Sequence, residues 1–455
     1  MVACGGAADQ PAAQQAAPAG GQQQRQAPRA PEPAPAAQAP AVAQAAAPAS
    51  AAAGAGAAQG QPAAPRAAVA AARHVATDLA PVTVGVPAPF RRGPFAQDRQ
   101  LQIQRGFSIS VFGLVPRARS MAVTPWGELL VTQPNQGQIV GLTDGDGDGV
   151  AEQTRVVAQG LECPYGMDFR DGHLYVAQST RVDRFAFGEP AGFGKAERVV
   201  SALPPSGCAP HHYRPLAIDA AGNLYVAFGS SCNVCVEADA RRGTVWQYTP
   251  DGNGREYARG LRNVVDLQVH PVTGQLWVAT NERDSLGDDV PPEPVGPVQE
   301  GADYGWPFCF WNGAGWQQDT RVPGRNPTCQ GLTPYNGIQA HSAPLGLTFY
   351  QGSGGAATSA SGATGRVPDD YVGTAFVGLH GSWNRTEGTG FKVVRIPAAD
   401  GNPAPAEDLI AGWLTGPRGP GDAWGRPVDV KVGVDGALYV SDDVAGAVYR
   451  VWWSG

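Results

Sequence analysis

The chain has 455 residues and a formal net charge of −7, with no block of Lys or Arg, so nucleic acid is an unsuitable partner. No apolar run approaches the 18 or so residues a membrane-spanning helix needs. The apolar residues are unevenly spread: residues 1–78 hold no Leu, Ile, Phe, Tyr or Trp, and every aromatic lies at Phe90 or beyond.

The chain opens Met1-Val2-Ala3-Cys4-Gly5-Gly6. Val-Ala-Cys-Gly resembles the end of a bacterial lipobox, whose Cys is lipidated and becomes the mature N-terminus. On that reading the charged and apolar parts of a signal peptide lie upstream of the given start, and the protein is an exported periplasmic or cell-surface lipoprotein. The alternative is an accidental Cys beside a start codon. Residues 1–85 are rich in Ala, Pro, Gln and Gly and cannot bury enough apolar surface to offset their ordering, so they are expected to form a disordered linker. A flexible tether of about 80 residues spans roughly 50 Å, which suits a domain held off a membrane by a lipid and a plain secretion linker equally.

Apart from Cys4 there are six cysteines: Cys163, Cys208, Cys232, Cys235, Cys309 and Cys329. An even number fits three disulfides formed in an oxidising compartment. Cys309 with Cys329 would close a long insertion. Cys232-Asn-Val-Cys235 reads as a small structural disulfide, with redox or zinc chemistry as alternatives.

From residue 100 to the end one unit recurs. A first strand, such as Met121-Ala-Val, Met167-Asp-Phe, Leu216-Ala-Ile, Leu267-Gln-Val, Leu347-Thr-Phe or Val430-Lys-Val, precedes a second strand entered by Gly. The second strands begin at Gly127, Gly172, Gly222, Gly274, Gly373 and Gly436. Six units of three or four short strands predict an all-β, six-bladed β-propeller over residues 100–455. Two insertions interrupt the fifth unit, one near 305–340 and a Gly/Ser/Ala-rich one from Gly352 to Arg366.

The innermost strand of a blade lines the central channel, so residues just before it gather at one mouth. Here those residues are Arg117, Glu162, His211, Arg262, Asn263 and Arg426, with Arg119, Arg214 and His341 close by. Four blades thus direct a cation or a His to one place, which suits an anionic ligand. With no Gly-rich phosphate loop, a flat polycarboxylate suits it better than a phosphate chain.

Several segments together resemble the soluble pyrroloquinoline-quinone-dependent sugar dehydrogenases, in the branch of sorbosone-type and pyranose dehydrogenases. They are His211-His-Tyr-Arg-Pro-Leu, Gly229-Ser-Ser-Cys-Asn-Val-Cys, Gly260-Leu-Arg-Asn, Asn281-Glu-Arg-Asp-Ser-Leu-Gly-Asp-Asp, Tyr304-Gly-Trp-Pro, His341-Ser-Ala-Pro-Leu-Gly, Leu379-His-Gly-Ser-Trp-Asn-Arg, Trp424-Gly-Arg-Pro and Tyr439-Val-Ser-Asp-Asp. The resemblance implies oxidation of a sugar, sugar aldehyde or related alcohol, with electrons passing on to a cytochrome or quinone acceptor that the sequence does not identify. It implies a tricarboxylate ortho-quinone cofactor and calcium. His211 matches the base that takes the substrate's proton, with His212 as the neighbouring alternative. Arg119, Glu162, Arg262, Asn263, His341, His380 and Arg426 become candidate cofactor contacts. The loop Glu282–Asp289 becomes the calcium loop, with Asp284, Ser285, Asp288 and Asp289 as ligands. Two departures stand out: Ser230 replaces an Asp that orients the catalytic His in glucose-type members, and Arg262-Asn263 continues into Val264 rather than Pro.

Asp144-Gly-Asp146-Gly-Asp148-Gly149 opens like a calcium loop, but the twelfth position is Arg155 rather than Glu, so it is not an EF-hand. With Glu152 it reads as a small structural calcium site or a solvated turn. Two other functions fit the scaffold: a non-catalytic surface-anchored binding propeller and a calcium-dependent lactonase.

Overall fold

The computed structural model describes residues 78–188, 192–208, 211, 213–322, 324, 328–352 and 365–455. Cys4, most of the expected linker, His212 and most of the Gly352–Arg366 insertion lie outside the described residues. All six first strands and all six second strands expected from the repeat are present. Five blades are antiparallel four-stranded sheets and the fifth in order is six-stranded; they are numbered here by their first strands: Met121–Val123, Met167–Arg170, Leu216–Ile218, Asn263–Val269, Pro344–Phe349 and Pro427–Val432. No α-helix occurs among the described residues, and no helix there is long and apolar enough to cross a membrane.

Six of the apolar clusters each lie between two neighbouring blades. Between blades five and six, for example, Phe376 and Val393 meet Val430, Leu438 and Tyr449. Four of the six second strands, such as Leu129–Gln133 and Leu224–Phe228, are buried along their whole length, covered on both faces. This explains their continuous apolar character.

The ring closes through a strand that the repeat pattern did not single out. Phe107–Leu114 forms the outer strand of blade six by pairing with Ala447–Trp453, so both ends of the fold share one sheet. The fold also begins earlier than residue 100. Leu79–Thr83 pairs with Gln100–Gln104, which continues blade five outward from Glu407–Ala411. Leu79–Thr83 lies inside the expected linker; a single Leu-Ala-Pro-Val-Thr run is too short to shift the local composition, yet it pairs once a sheet edge is available.

Three disulfides join Cys163–Cys208, Cys232–Cys235 and Cys309–Cys329. The last spans the insertion that carries the Cys309–Trp311 and Trp316–Gln318 hairpin.

Around the channel, three alternate blades are stapled to the next by an Asp. Asp168 accepts the Ile218 N–H at 2.9 Å, Asp266 accepts the Leu347 N–H at 2.7 Å, and Asp429 accepts the Met121 N–H at 2.7 Å. Each also accepts the N–H of its own successor, at 2.8 Å. Lys431 stands 2.8 Å from Asp429 and 3.6 Å from Asp266. Burial opposes the Lys431 charge, but those carboxylates outweigh it and keep the amine protonated.

Candidate active site

The entrances to the inner strands gather at one mouth. Its floor is apolar: Tyr165, Val265, Leu345 and Val428, from four blades, pack with Tyr213. Tyr165 and Tyr213 stack at 4.5 Å and 11°. The Arg119 guanidinium lies over the Tyr213 ring at 5.0 Å, a cation–π contact.

Against the floor lies a partly buried charged group. Arg119 pairs with Asp443 at 2.8 Å, and His380 Nε2 contacts the other Asp443 oxygen at 2.9 Å. Arg426 donates to the carbonyls of His380 and Gly381 at 2.8 and 2.7 Å. Burial pushes His380 down to about 4, with Asp443 opposing, so the imidazole is neutral at pH 7 and donates from Nε2. Burial opposes the Asp443 charge, but His380 and Arg119 outweigh it and hold the carboxyl well below its usual range. Arg119 Nε is buried without a partner. A buried unpaired donor is costly and asks for an explanation; at a cationic mouth, an anionic ligand is the direct one.

On the other side, His211 Nδ1 lies 3.2 Å from Ser230 Oγ, and Ser230 donates to the Cys232 carbonyl at 2.8 Å. A serine has one hydroxyl hydrogen. With that hydrogen on Cys232 O, Ser230 accepts from Nδ1–H, and Nε2 is the basic nitrogen of His211. The Ser230 replacement therefore still fixes the tautomer a general base needs. Gly229 is required beside it, since a Cβ there would come within 2.3 Å of the His211 carbonyl and 2.4 Å of Asn263 Oδ1. Asn263 itself is buried at the start of the fourth inner strand.

Arg262 is a buried strut. Its three nitrogens donate to Asn233 O at 3.1 Å, Glu282 O at 2.6 Å and Asp284 Oδ2 at 2.7 Å. Three of its five N–H donors thus hold protein acceptors, so the residue expected to contact the cofactor also braces the site. His341 ties the neighbouring loop, with Nε2 at 2.8 Å from Gly287 O and Nδ1 at 3.4 Å from Asn384. Asn384 also donates to Asp284 Oδ1 at 2.8 Å, leaving its own buried Oδ1 without a partner. Trp383, beside it in the chain, is 69% exposed.

The expected calcium ligands do not converge. Asp288 accepts the Thr386 N–H at 3.1 Å, and Asp289, largely exposed, pairs with Arg385 at 3.1 Å. The Asp284 carbonyl accepts from Arg283 at 2.6 Å and Asn233 at 3.1 Å. Ser285 is exposed, with φ 69°. A hard cation needs oxygens turned to one point, and nitrogen donors have taken most of these. The loop as folded does not fit calcium. The donors at the Arg119 side do fit a planar polyanion.

Two further expectations change. Glu162 is half-exposed and held by Thr180 at 2.9 Å and Arg181 at 3.0 Å, so its charge is met locally. Arg214 is buried over the Phe228 ring at 5.3 Å and donates to Pro204 O at 2.7 Å; burial, with Arg242 and Arg241, pulls it down to about 9. Away from the mouth, Asp144, Asp146, Asp148 and Glu152 bring carboxylate oxygens within 4.8 Å of one another. Arg155, at the twelfth position, is instead turned to Glu128 in a two-bond pair of 2.9 and 2.8 Å.

Sequence reasoning missed Tyr165, Tyr213, Asp443, Asn233 and Asn384 as site residues. Tyr213, Asn233, Asn384 and Asp443 sit inside the segments that carried the resemblance. Their partners come from other blades, so only the fold exposes their roles.

The model of the TrAA12-like family matches residues 101–454. An uncharacterised protein of Borreliella burgdorferi is 25% identical over 313 residues, covering 65% of this chain and 77% of its own. Among solved structures, the calcium structure of a carbohydrate-active enzyme of family AA12 from Trichoderma reesei aligns with a TM-score of 0.64 at 19% identity, over 78% of this chain and 97% of its own. The holo form of the pyranose dehydrogenase PQQ domain from Coprinopsis cinerea aligns with a TM-score of 0.64 at 21% identity, over 83% of this chain and 100% of its own. These likenesses show the propeller fold, and the family match spans the folded part of the chain. The chain belongs to the TrAA12-like family.

Proposed function

We propose that this member of the TrAA12-like family binds pyrroloquinoline quinone at the mouth and oxidises a sugar, sugar aldehyde or related alcohol there. The observation that carries the reading is the buried donor set around Arg119, whose Nε has no partner, above an apolar floor of stacked tyrosines. The floor of Tyr165, Tyr213, Val265, Leu345 and Val428 seats a planar ring. Arg119 and Arg426 offset the charge of carboxylates on its rim. When bound, the ortho-quinone supplies the hydride acceptor.

His211 acts as the general base. Its Nε2 takes the proton of the substrate hydroxyl, or of the hydrate of an aldehyde, while Ser230 holds Nδ1–H. His380 is neutral and tied to Asp443, so it steadies the cationic side and does not compete for the proton. Trp383 offers an exposed ring beside Asn384 to the apolar face of a sugar. The seating of the quinone rests on the cationic side, since most oxygens of the expected calcium ligands already take nitrogen donors.

We also propose export. Three disulfides in a chain of this size persist in oxidising compartments. The electron acceptor would then be a periplasmic or extracellular redox partner.

The test is reconstitution of the full chain with quinone, with and without calcium, followed by a dye-linked screen of aldoses, sugar aldehydes and polyols. Quinone-dependent dye reduction is expected. His211→Ala should lower kcat by roughly 10²–10⁴-fold while quinone still binds. Equal rates in wild type and variant, or lactone hydrolysis without quinone, would overturn the reading.

A further inference from the structure

The Cys232–Cys235 disulfide closes the smallest loop of the three, with a sequence separation of 3 against 20 and 45. Its constraint on the unfolded chain is correspondingly the weakest. What it holds is local, and three parts of the site hang on it. The Cys232 carbonyl accepts the Ser230 hydroxyl that faces His211. The next carbonyl, Asn233 O, accepts Arg262 Nε and Trp306 Nε1, both at 3.1 Å. The Asn233 side chain clasps Asp284 from both directions, donating to its carbonyl at 3.1 Å and accepting its N–H at 2.8 Å. The base (through Ser230), the strut and the Glu282–Asp289 loop therefore meet two consecutive residues, Cys232 and Asn233, inside one disulfide ring.

We infer that the Cys232–Cys235 disulfide is a positioning clamp that selects the tautomer of His211 and seats Arg262; this rests on the reading of His211 as the base. The logic is one of hydrogen count. While the clamp fixes Cys232 O, the Ser230 hydrogen is committed there and Nδ1 must donate. With the ring open, the Cys232 peptide gains freedom, and the Ser230 hydroxyl can turn its hydrogen to Nδ1. Nε2 then carries the proton and accepts none. The loop itself stays attached, because Glu237 grips Ser231 through its N–H at 2.6 Å and its hydroxyl at 2.7 Å. Both cysteines are half-buried rather than enclosed, so the clamp is open to reagents.

The experiment has a readout that does not depend on turnover. Full-chain apo protein labelled with ¹⁵N-histidine gives imidazole nitrogen shifts, with His211→Gln assigning the resonances. Wild type should show Nδ1 protonated and Nε2 not. The double variant Cys232→Ser/Cys235→Ser should show a mixture of tautomers. Loaded with quinone, it should lose about 10-fold in kcat with a displaced pH profile and little change in KM, a part of what a general base supplies.

Ser230→Ala should lose tautomer selection with the disulfide intact. If the double variant does not fold, wild type treated with a water-soluble phosphine replaces it. The disulfide takes two electrons and two protons to become two thiols, the phosphine is oxidised to its oxide with oxygen from water, and thiol alkylation with mass mapping confirms that only this pair has opened. The same tautomer and pH profile in the open forms as in wild type would overturn the clamp. A tautomer shift without quinone-dependent turnover in any form would uphold the clamp and sink the dehydrogenase reading.

Discussion

The channel and the mouth are built from the same inner strands, and both bury charge, but they treat it differently. In the channel, each oxygen of Asp168, Asp266 and Asp429 accepts a backbone N–H, and Lys431 answers the carboxylates. Every partner is supplied by the protein. A few residues away at the mouth, Arg119 Nε and Asn384 Oδ1 are buried and unpartnered. Buried polar groups are ordinarily satisfied, so the two regions differ in how far the protein alone completes their charged groups.

Breaking the channel should cost stability and leave the mouth's chemistry intact. Asp429→Ala removes the nearest carboxylate of Lys431 and strands the Met121 N–H, and should destabilise the fold by about 3–5 kcal/mol in urea unfolding. Asp429→Asn, which keeps an acceptor, should cost less.

The pH dependence sharpens the same comparison. Burial raises Asp168 and Asp442 to about 6 and Asp266 and Glu282 to about 7, from ordinary values near 4. Between the unfolded and folded values the folded state binds more protons, so these groups stabilise the acidic form and that contribution is lost as pH rises through 6 to 7. His380 acts oppositely: its folded value is lowered to about 4, and its contribution is lost as pH falls from 6.5 towards 4. The four carboxylates outnumber it, so Tm should be higher at pH 5.5 than at pH 8 by scanning calorimetry. The smallest effect belongs to Asp289, whose carboxylate is 83% exposed. Asp289→Ala should change stability by less than about 1 kcal/mol and leave quinone affinity unchanged, contrary to what a calcium ligand would require.

Much of the fold was legible because a propeller repeats locally. Each first and second strand lies within one short stretch, and Gly marks the entry to the second. The closing strand Phe107–Leu114 was not legible, since its partner Ala447–Trp453 is more than 300 residues away and nothing in its own sequence names that partner. The site was legible in its residue types more than in its contacts. His211, Arg119 and Arg426 stand just before inner strands, and His380 follows the second strand of blade five directly. Asp288 and Asp289 looked like calcium ligands because carboxylates suit calcium, but Arg385 and Thr386, nearly 100 residues on, take them. Arg262 read as a ligand contact from its type alone; Asn233, Glu282 and Asp284, which take three of its five N–H donors, come from elsewhere in the chain. Charge and residue type survive in a sequence; who neutralises whom is decided by the fold.

The most direct test of the mouth is a calorimetric titration of pyrroloquinoline quinone into apo protein, wild type against Arg119→Leu. The account predicts saturable binding to wild type and an affinity at least about 10-fold weaker in the variant, the loss of a charge-assisted contact. No binding to wild type, or equal affinity in the two proteins, would contradict it.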